Sequence, residues 1–247
     1  MEAAWRADRA TDLGSRIDRT KSEELSSRQA ALVAGVGLFS MAVVAPIANF
    51  VFIQKLVVAN DAAATVRKIA LSDATFRAGI VGLLLVAVLD VIVAWALHVF
   101  LRRANPSLSL LAALFRLIYA GMFAASLNEL LAASRLVGTA GHGSVVELAQ
   151  RDAQVMHHLA SFQSGWDLAL LLFGLHLLIL GALAFRSGFV PRCVGVLLGV
   201  SGLGYLIDGL GKTLSPSYDI TVAAFTFIGE VALMLWLLIK GWRLPSA

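Results

Sequence analysis

Apolar residues along this chain gather into long runs separated by short polar stretches, without the strict alternation of a half-buried strand. Residues 29–53 form the first run, long enough to cross a bilayer as a helix, and Pro46 within it predicts a kink. Further runs at 78–101, 109–132, 164–184, 193–211 and 220–240 bring the expected spans to six. The expected fold is all-α: a polytopic membrane protein with six transmembrane helices and short interfacial helices.

The polar breaks supply the boundaries. Asn60-Asp61-Ala62-Ala63-Ala64 reads as an N-cap followed by helix formers, and Ser72-Asp73 as the start of the next helix, so a short interfacial helix is expected between them. Arg102-Arg103-Ala104-Asn105-Pro106 predicts a tight basic turn that makes a hairpin of the second and third spans. Arg186-Ser187-Gly188-Phe189-Val190-Pro191-Arg192 joins the fourth and fifth in the same way. From Ala133 to Gln163 the chain is polar but carries Leu148, Val155, Leu159 and Phe162 at near-helical spacing, which predicts an amphipathic helix lying on the outer surface. The two hairpins share a plan, yet no residue-level repeat accompanies it, and a common hairpin grammar explains it as cheaply as duplication.

Composition removes the soluble alternatives. Hydrophobic residues make up 59% of the chain and charged ones 15%, against the roughly 25% charged of soluble domains. The 247 residues leave room for one membrane domain, 28–243, flanked by a polar arm, 1–27, and a short tail, 244–247. The arm lacks an apolar core and a small-residue cleavage site, so no cleaved signal peptide is expected. The net charge of +4 is spread among apolar segments with no aromatic-studded basic stripe, so no nucleic-acid partner is expected. The expected partners are the lipid bilayer and a lipophilic or small-molecule ligand. Cys193 is the only cysteine, which excludes intrachain disulfides and cysteine-based metal sites.

Basic residues set the expected orientation. With the N-terminus inside, twelve fall on the inner side (Arg6, Arg9, Arg16, Arg19, Lys21, Arg28, Arg102, Arg103, Arg186, Arg192, Lys240 and Arg243) and seven on the outer (Lys55, Arg67, Lys68, Arg77, Arg135, Arg151 and Lys212). Both termini are expected in the cytoplasm of a cell whose membrane the chain crosses.

Several segments carry a family resemblance: Asp61-Ala62-Ala63-Ala64, Asp90 in an apolar helix, Phe115-Arg116-Leu117, Phe173-Gly174-Leu175-His176, the turn from Phe185 to Arg192, Gly204-Tyr205-Leu206-Ile207-Asp208, and Gly229-Glu230. In order and spacing, from about Val33 to Arg243, they resemble the bacterial family called domain of unknown function 4386. The resemblance implies a multipass protein of the bacterial inner membrane with no assigned activity. It supplies no catalytic residues.

Ionisable residues inside the expected spans are the main functional clue, since each costs about 2.5–3.5 kcal/mol at mid-membrane and calls for a partner, a cavity or a neutral form. Asp90, Arg116, His176 and Glu230 come out roughly 10–17 Å from the inner boundary at the rise of an α-helix, and can meet near mid-membrane. Glu129, Asp167 and Asp208 lie near the outer ends of their helices, with Asn49 at a similar level. Ser201, Tyr205 and Asp208 share one face of the fifth span and can line an outward vestibule.

The bland reading has Arg116 pairing with Asp90 or Glu230 to fix helix packing, while His176 donates a hydrogen bond to a neighbouring helix. The leading functional reading is binding or proton-linked transport of a small molecule through this Asp/Arg/His/Glu cluster. The second is a membrane-integral enzyme, akin to a terpene cyclase, with Glu230 or Asp90 as a general acid on a lipid or isoprenoid substrate. The third is an accessory membrane subunit. His157, His158, His142 and Glu147 offer a zinc set only weakly, since adjacent histidines diverge on a helix, so no metal is expected. Without HExxH, GxSxG or a Walker loop, no cofactor is expected either. Gly195, Gly199, Gly202 and Gly204 form a smooth face suited to close helix packing.

Overall fold

The computed structural model describes residues 26–138, 144–215 and 217–243, all helix, turn or connecting loop with no strand among them. Arg6, Arg9, Arg16, Arg19 and Lys21 of the arm, His142, and the tail 244–247 lie outside the described residues.

Helix α1, Ser27–Pro46, starts with a capping box in which Ser26 and Gln29 satisfy each other's backbone amides. Pro46 denies the helix a donor, and beyond it the chain widens into π-winding over Ile47–Ile53 before a 3₁₀ turn, Gln54–Leu56. The expected kink is thus a change of winding.

Helix α2, Ala62–Leu71, is the expected short helix, with Asp61 Oδ1 accepting from the Ala64 amide at 2.8 Å. Its Thr65, Val66 and Ile69 are buried. Helix α3 is Asp73–Leu101, and α4 is Pro106–Gly138. Their turn is closed by Asn105 Oδ1, which accepts from Leu108 N, and by Ser109 Oγ, which donates to the His98 carbonyl at 3.0 Å.

Helix α5 departs from expectation. The amphipathic segment and the fourth span form one continuous helix, Val145–Arg186, opened by a Ser144/Glu147 capping box. Its 42 residues extend about 63 Å, roughly twice the hydrocarbon thickness of a bilayer, so its first turns cannot lie flat on the surface as a separate element.

Helix α6 is Arg192–Leu214, α7 is Ala223–Thr226 and α8 is Ile228–Ile239, followed by a 3₁₀ turn, Gly241–Arg243. The apolar run from Ile220 therefore becomes helical only at Ala223. Five helices are long and apolar enough to cross a membrane: Ser27–Leu56, Asp73–Leu101, Pro106–Gly138, Val145–Arg186 and Arg192–Leu214. The last apolar segment, Ala223–Ile239, is shorter.

The long helices form a ring: α1 packs on α3, α3 on α4, α4 on α5, α5 on α6, α6 on α8, and α8 returns to α1. Small residues bring α5 and α6 together as the glycine face predicts. A methyl added at Gly195 would stand 2.8 Å from the Gly181 carbonyl, and one at Gly202 2.7 Å from that of Gly174. Gly204 faces Thr226 on α7 instead.

Candidate functional site

The ring encloses a cavity of about 640 Å³. At its base, Arg116 of α4 reaches Asp90 of α3, with Nη2 2.6 Å from the carboxylate and both side chains buried. Three further contacts hold the guanidinium. Nη1 lies 3.3 Å from His176 Nε2, Nη2 faces Met41 Sδ at 3.8 Å, and the group sits over the Phe173 ring at 5.2 Å.

The hydrogen bonds fix the state of His176. Its Nδ1 is 2.8 Å from the Ala112 carbonyl and must donate; its Nε2 faces an arginine, which only donates, and must accept. The ring is therefore the neutral Nδ1–H tautomer, orienting Arg116 toward Asp90 and tying α5 to α4. This is the expected donated bond to a neighbouring helix.

Glu230, at the start of α8, lines the same cavity beside the hydrogen-bonding hydroxyl of Tyr205. Tyr205 in turn packs edge-on against Phe173 at 5.3 Å, and Phe173 lies 4.8 Å from Tyr119, so an aromatic wall joins the carboxylic acid to the guanidinium.

The residues expected near the outer helix ends divide. Asn49 is buried in the π-wound turn and lines the cavity. Asp167 accepts from Lys212 Nζ at 2.9 Å and from Gln163 Nε2, and both Asp167 and Lys212 lie on the cavity wall. Asp208 accepts from the Tyr218 hydroxyl and from the backbone amides of Val222 and Ala223, at 2.7–2.8 Å. Its carboxylate caps the start of the last apolar helical segment, one of the roles open to a carboxylate near a helix end. Ser201 Oγ bonds the carbonyls of Leu197 and Thr226, and so also belongs to the α6–α7 seam.

Glu129 stands apart from the cavity lining and pairs with His158 Nδ1 at 2.7 Å across α4 and α5. This contact accounts for one of the two adjacent histidines. No group of three or more metal-ligating side chains occurs among the described residues.

The family described as domain of unknown function 4386 matches residues 33–241. The chain belongs to that family. A relative in Archaeoglobus fulgidus, described as an uncharacterised protein, is 34% identical over 167 residues, covering 68% of this chain and 86% of the relative. No solved structure matches. Membership of the domain of unknown function 4386 family, with five helices able to cross a bilayer, gives an apolar, multi-helix protein suited to membrane insertion.

Proposed function

We propose that this chain crosses the membrane six times, with both termini in the cytoplasm, and binds a small molecule in the ring's cavity as a binding or proton-linked transport protein. The observation that carries this reading is one continuous cavity whose lining includes both Asp208, Asp167 and Lys212 and the buried Arg116, Asp90 and Glu230. An accessory subunit needs no such space. Cavities of about 300–1,000 Å³ with mostly apolar walls and a few convergent polar groups are the usual form of a small-molecule site. The wall here has that composition.

The sixth crossing is supported by α7 and α8 together, which extend about 25 Å and start from an Asp208-capped turn. The orientation is supported by the twelve-to-seven bias of basic residues.

An enzyme remains the second reading because Glu230 and Asp90 stand in a cavity wall beside Tyr119, Phe173 and Tyr205. Mass spectrometry of molecules that co-purify with the full chain, compared with Glu230→Gln, tests both. Binding or transport predicts one compound, retained by the native chain and lost from the variant. A substrate–product pair whose ratio changes in the variant would favour the enzyme. No retained compound would refute both.

A further inference from the structure

The cavity's ring has an uneven seam. The inner half of α1 meets α8 closely: a methyl on Gly35 would stand 3.0 Å from Leu238 and 3.2 Å from Leu237. Beyond Pro46 the π-wound segment packs on α3, where Gly79 approaches Ile53 and Ala48. Along this outer half, Ala42, Pro46, Phe50 and Gln54 recur at four-residue spacing; all line the cavity and all are exposed. Across the seam, Phe227 also lines the cavity. Phe50 is 66% exposed and Phe227 49% exposed, and both line the cavity, so its wall includes two exposed aromatic rings from opposite sides of the seam.

The charges inside are unbalanced. Four carboxylates line the cavity, those of Asp90, Asp167, Asp208 and Glu230, against the two cations Arg116 and Lys212. Both cations are already engaged, Arg116 by Asp90 and Lys212 by Asp167. Among the cavity-lining residues, Asp90 Oδ2, Asn49 Oδ1 and Glu230 Oε1 are acceptors with no hydrogen-bond partner among the described residues. Asp90 and Asn49 are more than nine-tenths buried. Buried acceptors left over in this way call for a donor, and carboxyl groups that outnumber the cationic side chains in an aromatic-walled space favour a cation. Arg116 Nε also lacks a partner, which suits a hydroxyl or carbonyl elsewhere on the ligand.

We propose that the cavity takes a lipophilic organic cation, such as a protonated amine with an apolar body, reaching it from the surrounding lipid between Phe50 and Phe227. This rests on the small-molecule reading above and names its ligand class. The cationic centre sits among Asp90, Glu230 and Asn49, against the Tyr119 and Phe173 rings. The apolar body lies toward the seam.

The test uses tetraphenylphosphonium and its near-isosteric anion tetraphenylborate, with the full chain in lipid nanodiscs dialysed against empty nanodiscs of the same lipid. The phosphonium is expected to bind saturably at one per chain, weakened tenfold or more by Glu230→Gln and by Asn49→Leu. Neither variant touches the Asp90–Arg116 pair, so both are expected to fold. The borate is expected to show nothing beyond partition into lipid. Ala224→Trp, on the rim, is expected to slow phosphonium association, and an unchanged rate overturns the sideways route. Saturable binding of the borate, or phosphonium binding indifferent to both variants, overturns the ligand class and leaves the small-molecule reading standing. If neither probe binds saturably, the ligand class fails, and the small-molecule reading stands or falls on the co-purification experiment.

Discussion

Asp208 Oδ2 accepts the backbone N–H of Ala223 at 2.7 Å, so a carboxylate on α6 serves as the cap for a helix that starts 15 residues later. Val222 N and the Tyr218 hydroxyl share the other oxygen, at 2.8 and 2.7 Å. Asp208→Ala leaves two amides at a helix start without an acceptor, which costs about 1–3 kcal/mol. Amide exchange over 220–226 is expected to accelerate about 5- to 150-fold by the same arithmetic, while α4 and α5 keep their protection. Unchanged exchange in that stretch would refute the capping role.

Tyr218 follows from the same carboxylate. The Asp208 hydrogen bond raises the Tyr218 hydroxyl above its ordinary value of 10.0. The protonated form is therefore the one favoured by folding. Its contribution is complete below pH about 10 and is lost as pH climbs through the raised value. The difference in tyrosinate absorbance between the native chain and Tyr218→Phe should titrate above 10, and Asp208→Ala should bring it down.

Helix α5 lies against α6 at distances only glycine allows. Gly195→Ala would set a methyl 2.6 Å from the Phe185 amide nitrogen and 2.8 Å from the Gly181 carbonyl oxygen, backbone atoms that cannot move aside cheaply. Overpacking of this kind costs about 1–3 kcal/mol. Gly199→Ala meets nothing within 4 Å and serves as the control. Thermal unfolding in one detergent should separate the two, and equal melting temperatures would contradict the described contact.

Orientation can be read with the single native thiol. Cys193 is exposed at the start of α6, beside the Arg186–Arg192 turn that the proposed orientation puts in the cytoplasm. A membrane-impermeant maleimide is expected to label it only after cells are permeabilised. Lys212→Cys in a Cys193→Ser background should react in intact cells. The reverse pattern inverts the topology.

Breaking the central ion pair should be more damaging than removing it. Asp90→Ala strands the Arg116 guanidinium in a buried site, a loss of about 3–5 kcal/mol, whereas Asp90→Leu with Arg116→Met replaces both charges by apolar volume and should recover most of it. Unfolding of the two variants in the same detergent checks the order. A double variant less stable than Asp90→Ala would refute it.

Much of this architecture was legible because the signals are local. Asp61 and Asn105 cap helices where their side-chain chemistry says they should, and Arg116 finds Asp90 because two charges at one depth on neighbouring helices have few other partners. The unity of α5 was not legible. Gln163-Ser164-Gly165 interrupts the apolar pattern, yet serine and glycine cost a helix only about 1 kcal/mol or less each, and Gly165 packs closely on Ser126. The π-winding after Pro46 leaves no mark in residue type. The Asp208 cap joins residues too far apart in sequence for spacing to predict, and the hydropathy of Ile220 to Val222 reads as helix although that stretch is not helical.

The pairing of Asp90 with Arg116 also bears on how the chain enters a bilayer. The two residues sit on consecutive helices joined by a four-residue turn, Arg102 to Asn105, that Asn105 and Ser109 hold closed. Inserted one after the other, each helix would carry an unmatched charge into hydrocarbon, at about 2.5–3.5 kcal/mol apiece. Inserted as a preformed hairpin, they present a neutral pair. Biogenesis of this fold is thus best served by a lateral gate wide enough for two helices, with α3 held at the exit until α4 has left the ribosome.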